Sequence, residues 1–322
     1  MSEAKQIANM PLLVTAANKI ANDTMSFQLQ RPDGGELPIF LAGSHIFVET
    51  PNELLRQYSL CNAPTERNRY VIAVKRDAAG RGGSKSMVDT LKVGDTILAS
   101  EPRNAFPLVP DAARYLFIAG GIGITPIRSM LLALSAAGSK SFKLYYCTRS
   151  LQETSFMEDW EKPEFKGKVV IHHDEGKPDR RLDLWPMLEK PDRTHLYCCG
   201  PSPLMQAVRD MAGHWPSSSV HFEDFCALKP KPRPDDQAFT VRLAKSGMKL
   251  TVPAKDTLLQ TLRNAGVHIA SSCESGSCGS CQVGLLEGEA DHRDFVLSES
   301  EQHDRIISCV SRACSPELVL DI

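Results

Sequence analysis

The sequence has no excess of basic side chains. Its 37 Lys and Arg stand against 39 Asp and Glu, a formal net charge of -2 over 322 residues, so no nucleic-acid partner and no anionic membrane surface is expected. Cysteine is sparse and unevenly spaced, ten in all, which excludes a disulfide scaffold. The start, MSEAKQIANMPLLVTAANK, carries Glu3, Lys5 and Asn9 where a secretory signal needs an apolar core, so reduced, cytoplasmic thiols are expected. Long uninterrupted apolar runs are missing too. The best candidate for a membrane span, Tyr115 to Gly138, is broken by Gly120, Gly121, Gly123, Pro126 and Arg128. Its first half reads as a buried strand and its second as a helix.

What is present divides the chain. In residues 1–110, short β-like runs at Ser26 to Leu29, His45 to Glu49, Arg56 to Cys61, Tyr70 to Lys75 and Thr96 to Ser100 are separated by Gly, Pro and Asn clusters. That spacing predicts an antiparallel barrel. In residues 111–226 the strands Tyr115 to Ala119, Phe142 to Cys147, Lys168 to His172 and His195 to Cys199 are interleaved with helical stretches such as Pro126 to Ala137, the pattern of a parallel α/β sheet. Residues 227–237 alternate Pro230, Pro232 and Pro234 with Lys229, Lys231 and Arg233, which suits an extended spacer. Residues 238–322 open with a hairpin, Phe239 to Leu243 and Lys249 to Val252, and a helix from Thr257 to Ala265. Asp256 is expected as its N-cap, Leu258, Leu259 and Leu262 as its buried face and Gly266 as its stop. This last part is the acidic one, with 8 basic and 11 acidic side chains.

Within it stand Cys273, Cys278 and Cys281, with Cys309 after 27 intervening residues, the C-x4-C-x2-C…C spacing of plant-type [2Fe-2S] ligation. Gly276 and Gly279, with the small Ser275, Ser277 and Ser280, let the loop fold tightly and aim backbone N–H groups at sulfur. A zinc site would favour two short Cys or His pairs. Cys61, Cys147, Cys226 and Cys314 read as ordinary core residues, and His172, His173, His214 and His292 as core-edge or surface histidines. Glu287, Glu289, Asp291 and Asp294 form an acidic run that either steers a basic partner or is plain solvated charge.

Two glycine turns follow strands in the middle region. Gly120-Gly121-Ile122-Gly123-Ile124-Thr125-Pro126 offers glycines for close approach of a pyrophosphate, Thr125 as a helix cap and Pro126 in the first turn; a plain strand-to-helix turn fits the same residues. Cys198-Cys199-Gly200-Pro201 is the second, and both stand where α/β sheets bind ligands. In the barrel region, Arg56-Gln57-Tyr58-Ser59 and Gly80-Arg81-Gly82-Gly83-Ser84 put an arginine and a helix N-terminus within one segment, a phosphate site or, alternatively, a surface ion pair and a hairpin tip.

In order, R-x-Y-S, G-x-G-G-S, G-G-I-G-x-T-P, C-G-P and the four cysteines resemble the phthalate dioxygenase reductase family over nearly the whole chain, and RNRYVIAVKRD, YCCGP, RDMAGHWPS and SSCESGSCGSC extend the likeness. The resemblance implies a multidomain α+β and α/β chain: a flavin-binding antiparallel β-barrel, a Rossmann-like NAD-binding domain and a C-terminal β-grasp ferredoxin domain. It implies that Arg56 and Ser84 hold the phosphate of FMN, that Tyr58 and Ser59 line the isoalloxazine, and that backbone at Ala73, Val74, Lys75, Gly82 and Gly83 completes the site. Gly120, Gly121, Gly123, Gly200 and Pro201 would bind the nucleotide. Thr125 would lie near both rings, Cys199 near the nicotinamide, and Phe225 over the flavin edge. The implied reaction is hydride transfer from NADH to flavin N5, then single electrons through the cluster to the Rieske oxygenase component of an aromatic-ring dioxygenase, by a monomer. Another oxygenase, an O-demethylase or a P450 as acceptor, or a redox-sensing role, stays open. So does NADPH on residues alone, because Thr148-Arg149-Ser150 offers an arginine and no acid after the second strand of the sheet. NADH and FMN, rather than NADPH and FAD, follow from the resemblance.

Overall fold

Alternation of apolar and polar positions sets the first sheet of the chain. In the computed structural model, β1 (Met10–Ala21), β2 (Thr24–Gln30), β3 (His45–Glu49), β4 (Leu55–Ser59), β5 (Tyr70–Lys75) and β6 (Thr96–Ala99) pair antiparallel in the order β4-β3-β6-β1-β2-β5. The sheet closes into a barrel where Leu60 bridges Ile72 and the Cys61 N–H donates to the Val71 carbonyl at 2.9 Å. Leu12, Val14, Phe27, Leu29, Ile46, Val48 and Ile72 fill it. Closure removes exposed strand edges. After β5, α1 (Gly83–Thr90) begins at Gly82, whose φ of +88° is one that glycine adopts without strain.

The structure describes residues 8–138, 141–225, 233, 235–269, 271, 274, 276, 279–294, 297–298 and 300–322, which fall into two units, Met1–Phe225 and Cys226–Ile322. The first unit continues with β7 (Arg114–Gly120), α2 (Ile124–Ala136), β8 (Phe142–Thr148), β9 (Val169–His173), β10 (Thr194–Cys199), α3 (Ser202–Met211) and β11 (Val220–Glu223). All five strands are parallel, ordered β11-β10-β7-β8-β9. β7 is buried on both faces. Phe117 and Ala119 pack with Ile127, Met130 and Leu131 of α2, and Leu116 and Ile118 with Met205 and Val208 of α3. That burial is why YLFIA is almost continuously apolar. The chain moves outward from β7 to β9 and then returns to the other side, so the strand order reverses between β7 and β10.

The second unit contains β12 (Phe239–Leu243), β13 (Lys249–Val252), α4 (Leu258–Asn264), β14 (Gln282–Glu287), β15 (Ala290–Asp291), β16 (Arg305–Ile307), β17 (Arg312–Ala313) and β18 (Glu317–Leu320). Its main sheet, β13-β12-β18-β14-β16, has β12 and β18 parallel at the centre, and Leu258 and Leu262 of α4 pack on its core, the arrangement of a β-grasp. The expected cap of α4 is corrected: Thr257, not Asp256, is the N-cap, its Oγ1 accepting the Gln260 N–H at 3.1 Å. Gly266, at φ +79°, does end the helix, with Gly266 N–H donating to Arg263 and Val267 N–H to Leu262, both at 2.9 Å. Asp236, at the end of the Pro-rich stretch, is buried against Arg293 at 2.6 Å and lies 3.6 Å from Arg312, whose guanidinium also donates to the carbonyls of Gln237, Pro253 and Asp256. No helix among the described residues is long and apolar enough to cross a membrane.

Candidate functional site

The candidate anion-binding element lies where β4 meets the start of α1. The Arg56 side chain lies so close over Gly83 that a Cβ there would meet its Nε at 2.8 Å and its Cγ at 2.9 Å. α1 has no side-chain cap at its N-terminus and no acid in its first turn. A guanidinium beside an uncapped helix start is a suitable cradle for an anion. Ser84 Oγ accepts the Asp77 N–H at 3.1 Å. Ala73, Val74 and Lys75 lie on β5, the strand that leads toward α1.

Tyr58 Oη and Ser59 Oγ, on adjacent residues of β4, are buried without a hydrogen-bond partner, and burial pushes the Tyr58 phenol well above its ordinary pKa. Buried polar atoms are nearly always satisfied, so each orphan fits a polar ligand atom; Tyr58, paired with Ile46 and packed on the barrel core, and Ser59, paired with His45, lie on opposite faces of β4. Two more buried polar side chains without partners lie on the Ser59 face of the sheet, and the sequence reading singled out neither. His45 stands opposite Ser59, and Gln57 opposite Phe47, and both His45 nitrogens and Gln57 Oε1 lack partners. Burial, with Arg103 nearby, pulls the His45 pKa down to about 4. Only the pairing register exposes this, because nothing in GSHIFV marks the histidine.

At the point where the strand order reverses, the two glycine turns press on each other. A Cβ at Gly123 would sit 2.2 Å from the Cys199 carbonyl oxygen, one at Gly120 2.5 Å from Pro201 Cδ, and one at Gly200 2.9 Å from the Gly120 backbone. These three glycines therefore have a packing reason of their own, while Gly121, at φ +51°, faces open space. The capping role expected of Thr125 is corrected. Gly121–Gly123 forms a 3-10 turn that leads into α2 at Ile124, so Thr125 is already inside the first turn and donates from Oγ1 to the Ile122 carbonyl at 3.0 Å.

Cys199 is fully buried, in register between Ala119 of β7 and Glu223 of β11. Glu223 is a second miss of the sequence reading: both carboxyl oxygens are buried without a partner, and burial alone pushes the pKa up to about 8. The signal was an acid closing the short run VHFE. Phe225, two residues on, is 37% exposed. A carboxyl held neutral by the fold lowers stability once the unfolded chain ionises. Glu223→Gln is therefore expected to gain stability over the parent as pH rises from about 4.5 to about 8, by up to roughly 1.4 kcal/mol per pH unit. Thermal unfolding across that range checks it; a difference independent of pH would contradict a protonated Glu223.

In the second unit, Cys281 and Cys309 are both buried. Gln282 of β14 pairs with Ile307 of β16, and Ser308 donates twice to the Cys281 carbonyl, from N at 3.1 Å and from Oγ at 2.8 Å. That pair of hydrogen bonds brings the segments of the third and fourth cysteines of the motif together. Gly276 and Gly279 have φ of +77° and +72°, and a Cβ at Gly276 would meet Val310 Cγ2 at 2.8 Å, so the loop requires glycine there. Cys273 and Cys278 lie outside the described residues. Two buried cysteines on neighbouring segments and a left-handed glycine loop fit an iron–sulfur cluster. Among the described residues no group of three or more His, Cys, Asp or Glu gathers for another metal.

The expected acidic run separates into two kinds. Glu287 and Glu289 are exposed, whereas Asp291 pairs with Arg293 at 2.6 Å and Asp294 accepts from Ser311 Oγ and the Leu297 N–H. Cys314 is exposed, which corrects its reading as a core residue, and Cys226 lies outside the described residues.

Three family models match along the chain: an oxidoreductase FAD-binding domain over residues 11–107, an oxidoreductase NAD-binding domain over 117–210 and a 2Fe-2S iron-sulfur cluster binding domain over 241–314. Phthalate dioxygenase reductase of Burkholderia cepacia is 49% identical over 323 residues, with all of each chain covered. Vanillate O-demethylase oxidoreductase of a Pseudomonas species is 42% identical, covering 97% of this chain and 99% of its own. The solved structure of a phthalate dioxygenase reductase, described as modular for electron transfer from pyridine nucleotides to [2Fe-2S], superposes with a TM-score of 0.75 at 50% identity and 97% coverage of both chains.

Proposed function

The chain belongs to the phthalate dioxygenase reductase family, and from that premise we propose that it is the reductase component of a phthalate-type Rieske dioxygenase, drawing on NADH and serving the oxygenase through FMN and a [2Fe-2S] cluster. The full-length match at 49% identity, with every motif in order, carries this reading. A nicotinamide yields a hydride and a [2Fe-2S] centre accepts one electron at a time, so a flavin between them supplies the conversion.

The chain's own residues bind and orient. Arg56, Ser84 and the backbone N–H groups at Gly83 and Ser84 hold the flavin phosphate, Tyr58 and Ser59 line the isoalloxazine, and the backbone of Ala73, Val74, Lys75, Gly82 and Gly83 completes the site. Gly120, Gly121, Gly123, Gly200 and Pro201 shape the nucleotide crevice, Thr125, Cys199 and Glu223 form its floor, and Phe225 covers the flavin edge. Cys273, Cys278, Cys281 and Cys309 ligate the cluster. FMN rather than FAD is supported by a cradle that presents one arginine and one helix start, the size of a single phosphate.

Anaerobic stopped-flow reduction should be faster with NADH than with NADPH, and mass spectrometry of the released flavin should give FMN. An advantage for NADPH, to which Arg149 offers a charge, or release of FAD, overturns that part of the proposal. The 42% identity to a vanillate O-demethylase oxidoreductase favours a second acceptor, an aryl-ether demethylase. Coupled turnover of this chain with a phthalate-type oxygenase and with an O-demethylase oxygenase decides between them.

A further inference from the structure

One buried side chain joins the nucleotide-binding helix to the flavin strand. Arg128 stands on α2, three residues after Thr125. Its Nε and Nη2 reach Asp159 Oδ2 at 2.7 and 2.6 Å, its Nη1 donates to the Cys61 carbonyl at 2.5 Å, and its guanidinium lies 4.5 Å from the centre of the Phe156 ring. The two side chains of the ion pair are 15% and 11% exposed. Ser129 donates from Oγ to the Asn62 carbonyl at 2.9 Å. Consecutive side chains of α2 thus hold consecutive carbonyls just beyond β4, the strand that carries Arg56, Tyr58 and Ser59.

The segment after β8 braces the same seam. The Asn22 N–H donates to the Gln152 carbonyl at 2.7 Å, Lys75 pairs with Glu153 at 3.3 Å, and Phe156 packs among Cys61, Val71 and Ala73 of the barrel and Ile122 of the glycine turn. Phe156 does this at φ +59°, a left-handed backbone that strains a bulky residue. Burial raises the Asp159 pKa, but Arg128 and Lys162 outweigh it and hold the carboxyl below its ordinary range, so the pair is ionised at neutral pH. A largely buried arginine with each of its three nitrogens bonded, beside a strained aromatic, is a fixture rather than a surface contact.

We propose that Arg128 is a positioning residue for hydride transfer, fixing the flavin strand β4 against the start of α2 and thereby the separation of the two reacting rings. The inference rests on the functional reading above. Hydride transfer needs the reacting atoms within about 3–3.5 Å, and a shift of roughly 1 Å can cost on the order of 100-fold in rate.

The test compares Arg128→Met, Arg128→Lys and Asp159→Asn with the parent as flavin-loaded full chains. Four quantities are read: flavin content, thermal midpoint, the stopped-flow hydride rate, and the long-wavelength absorbance that arises when a nicotinamide ring stacks on a flavin. With flavin content and the half-saturating NADH concentration unchanged, Arg128→Met is expected to weaken that absorbance and slow the hydride step about 10- to 100-fold. Arg128→Lys should fall between, because one ammonium cannot reproduce the fork that spans Asp159 and Cys61. A lowered thermal midpoint with absorbance and rate at parental values overturns the proposal and leaves Arg128 a purely structural clamp. If Arg128→Met does not fold, Asp159→Asn carries the test, and parental absorbance and rate in that variant overturn the proposal. A parent that NADH does not reduce overturns the functional reading instead, and this inference with it.

Discussion

Cys309→Ala in the full chain leaves flavin reduction by NADH at the parental rate and reduces electron delivery to cytochrome c to the flavin's own background. The two events depend on different units. Arg56, Tyr58 and Ser59 and the paired glycine turns belong to Met1–Phe225, whereas Cys309 lies in Cys226–Ile322. Cys309 is the proposed ligand furthest in sequence from the other three, and the two hydrogen bonds that Ser308 donates to the Cys281 carbonyl set its segment beside Cys281. The three remaining thiolates leave an iron without its fourth ligand, so the sulfide absorbance should vanish together with acceptor reduction. Cys314→Ala is the control, because that thiol is exposed and outside the motif, and it should change neither activity. Parental cytochrome c reduction by Cys309→Ala would remove the cluster from the route.

Much of this was legible in the sequence, and the failures have physical reasons. Short strands bounded by turn residues were readable, with β3 and β5 found at their observed limits, because Gly43 and Pro51, and Asn68 and Asp77, lie two positions beyond their ends. β1 was not, since MPLLVTAANKIA does not alternate; it is a strand because β2 and β6 pair with it on either side. β11 was missed because VHFE is only four residues long; it is an edge strand because β10 pairs with it, and Glu223 was missed with it. The glycine turns were found by pattern, but a pattern cannot say whether a missing Cβ makes room for a ligand or for the neighbouring turn. The Gly120, Gly123 and Gly200 contacts answer with the turn. Asp291 and Asp294 read as free charge until Arg293 and Ser311 appear beside them, and the seam at Arg128 joins residues 67 apart, which no local pattern encodes.

Arg56→Ala is expected to weaken FMN binding about 10- to 150-fold while leaving riboflavin binding unchanged. A hydrogen bond to a charged group contributes roughly 1.5–3 kcal/mol, which converts to that range at about 1.4 kcal/mol per tenfold. The arginine lies over Gly83 at the uncapped start of α1, so its charge and the helix N–H groups address one place, the phosphate, and not the ring. Riboflavin has the ring without the phosphate and isolates the difference. Flavin fluorescence titrations of both ligands into both apoproteins give the four constants. A loss shared equally by riboflavin would mean that Arg56 supports the ring pocket or the strand itself. Unchanged FMN affinity would assign the phosphate to the helix N-terminus alone. The predicted pattern, a loss confined to the phosphorylated ligand, follows only if the guanidinium and the helix start form one anion site.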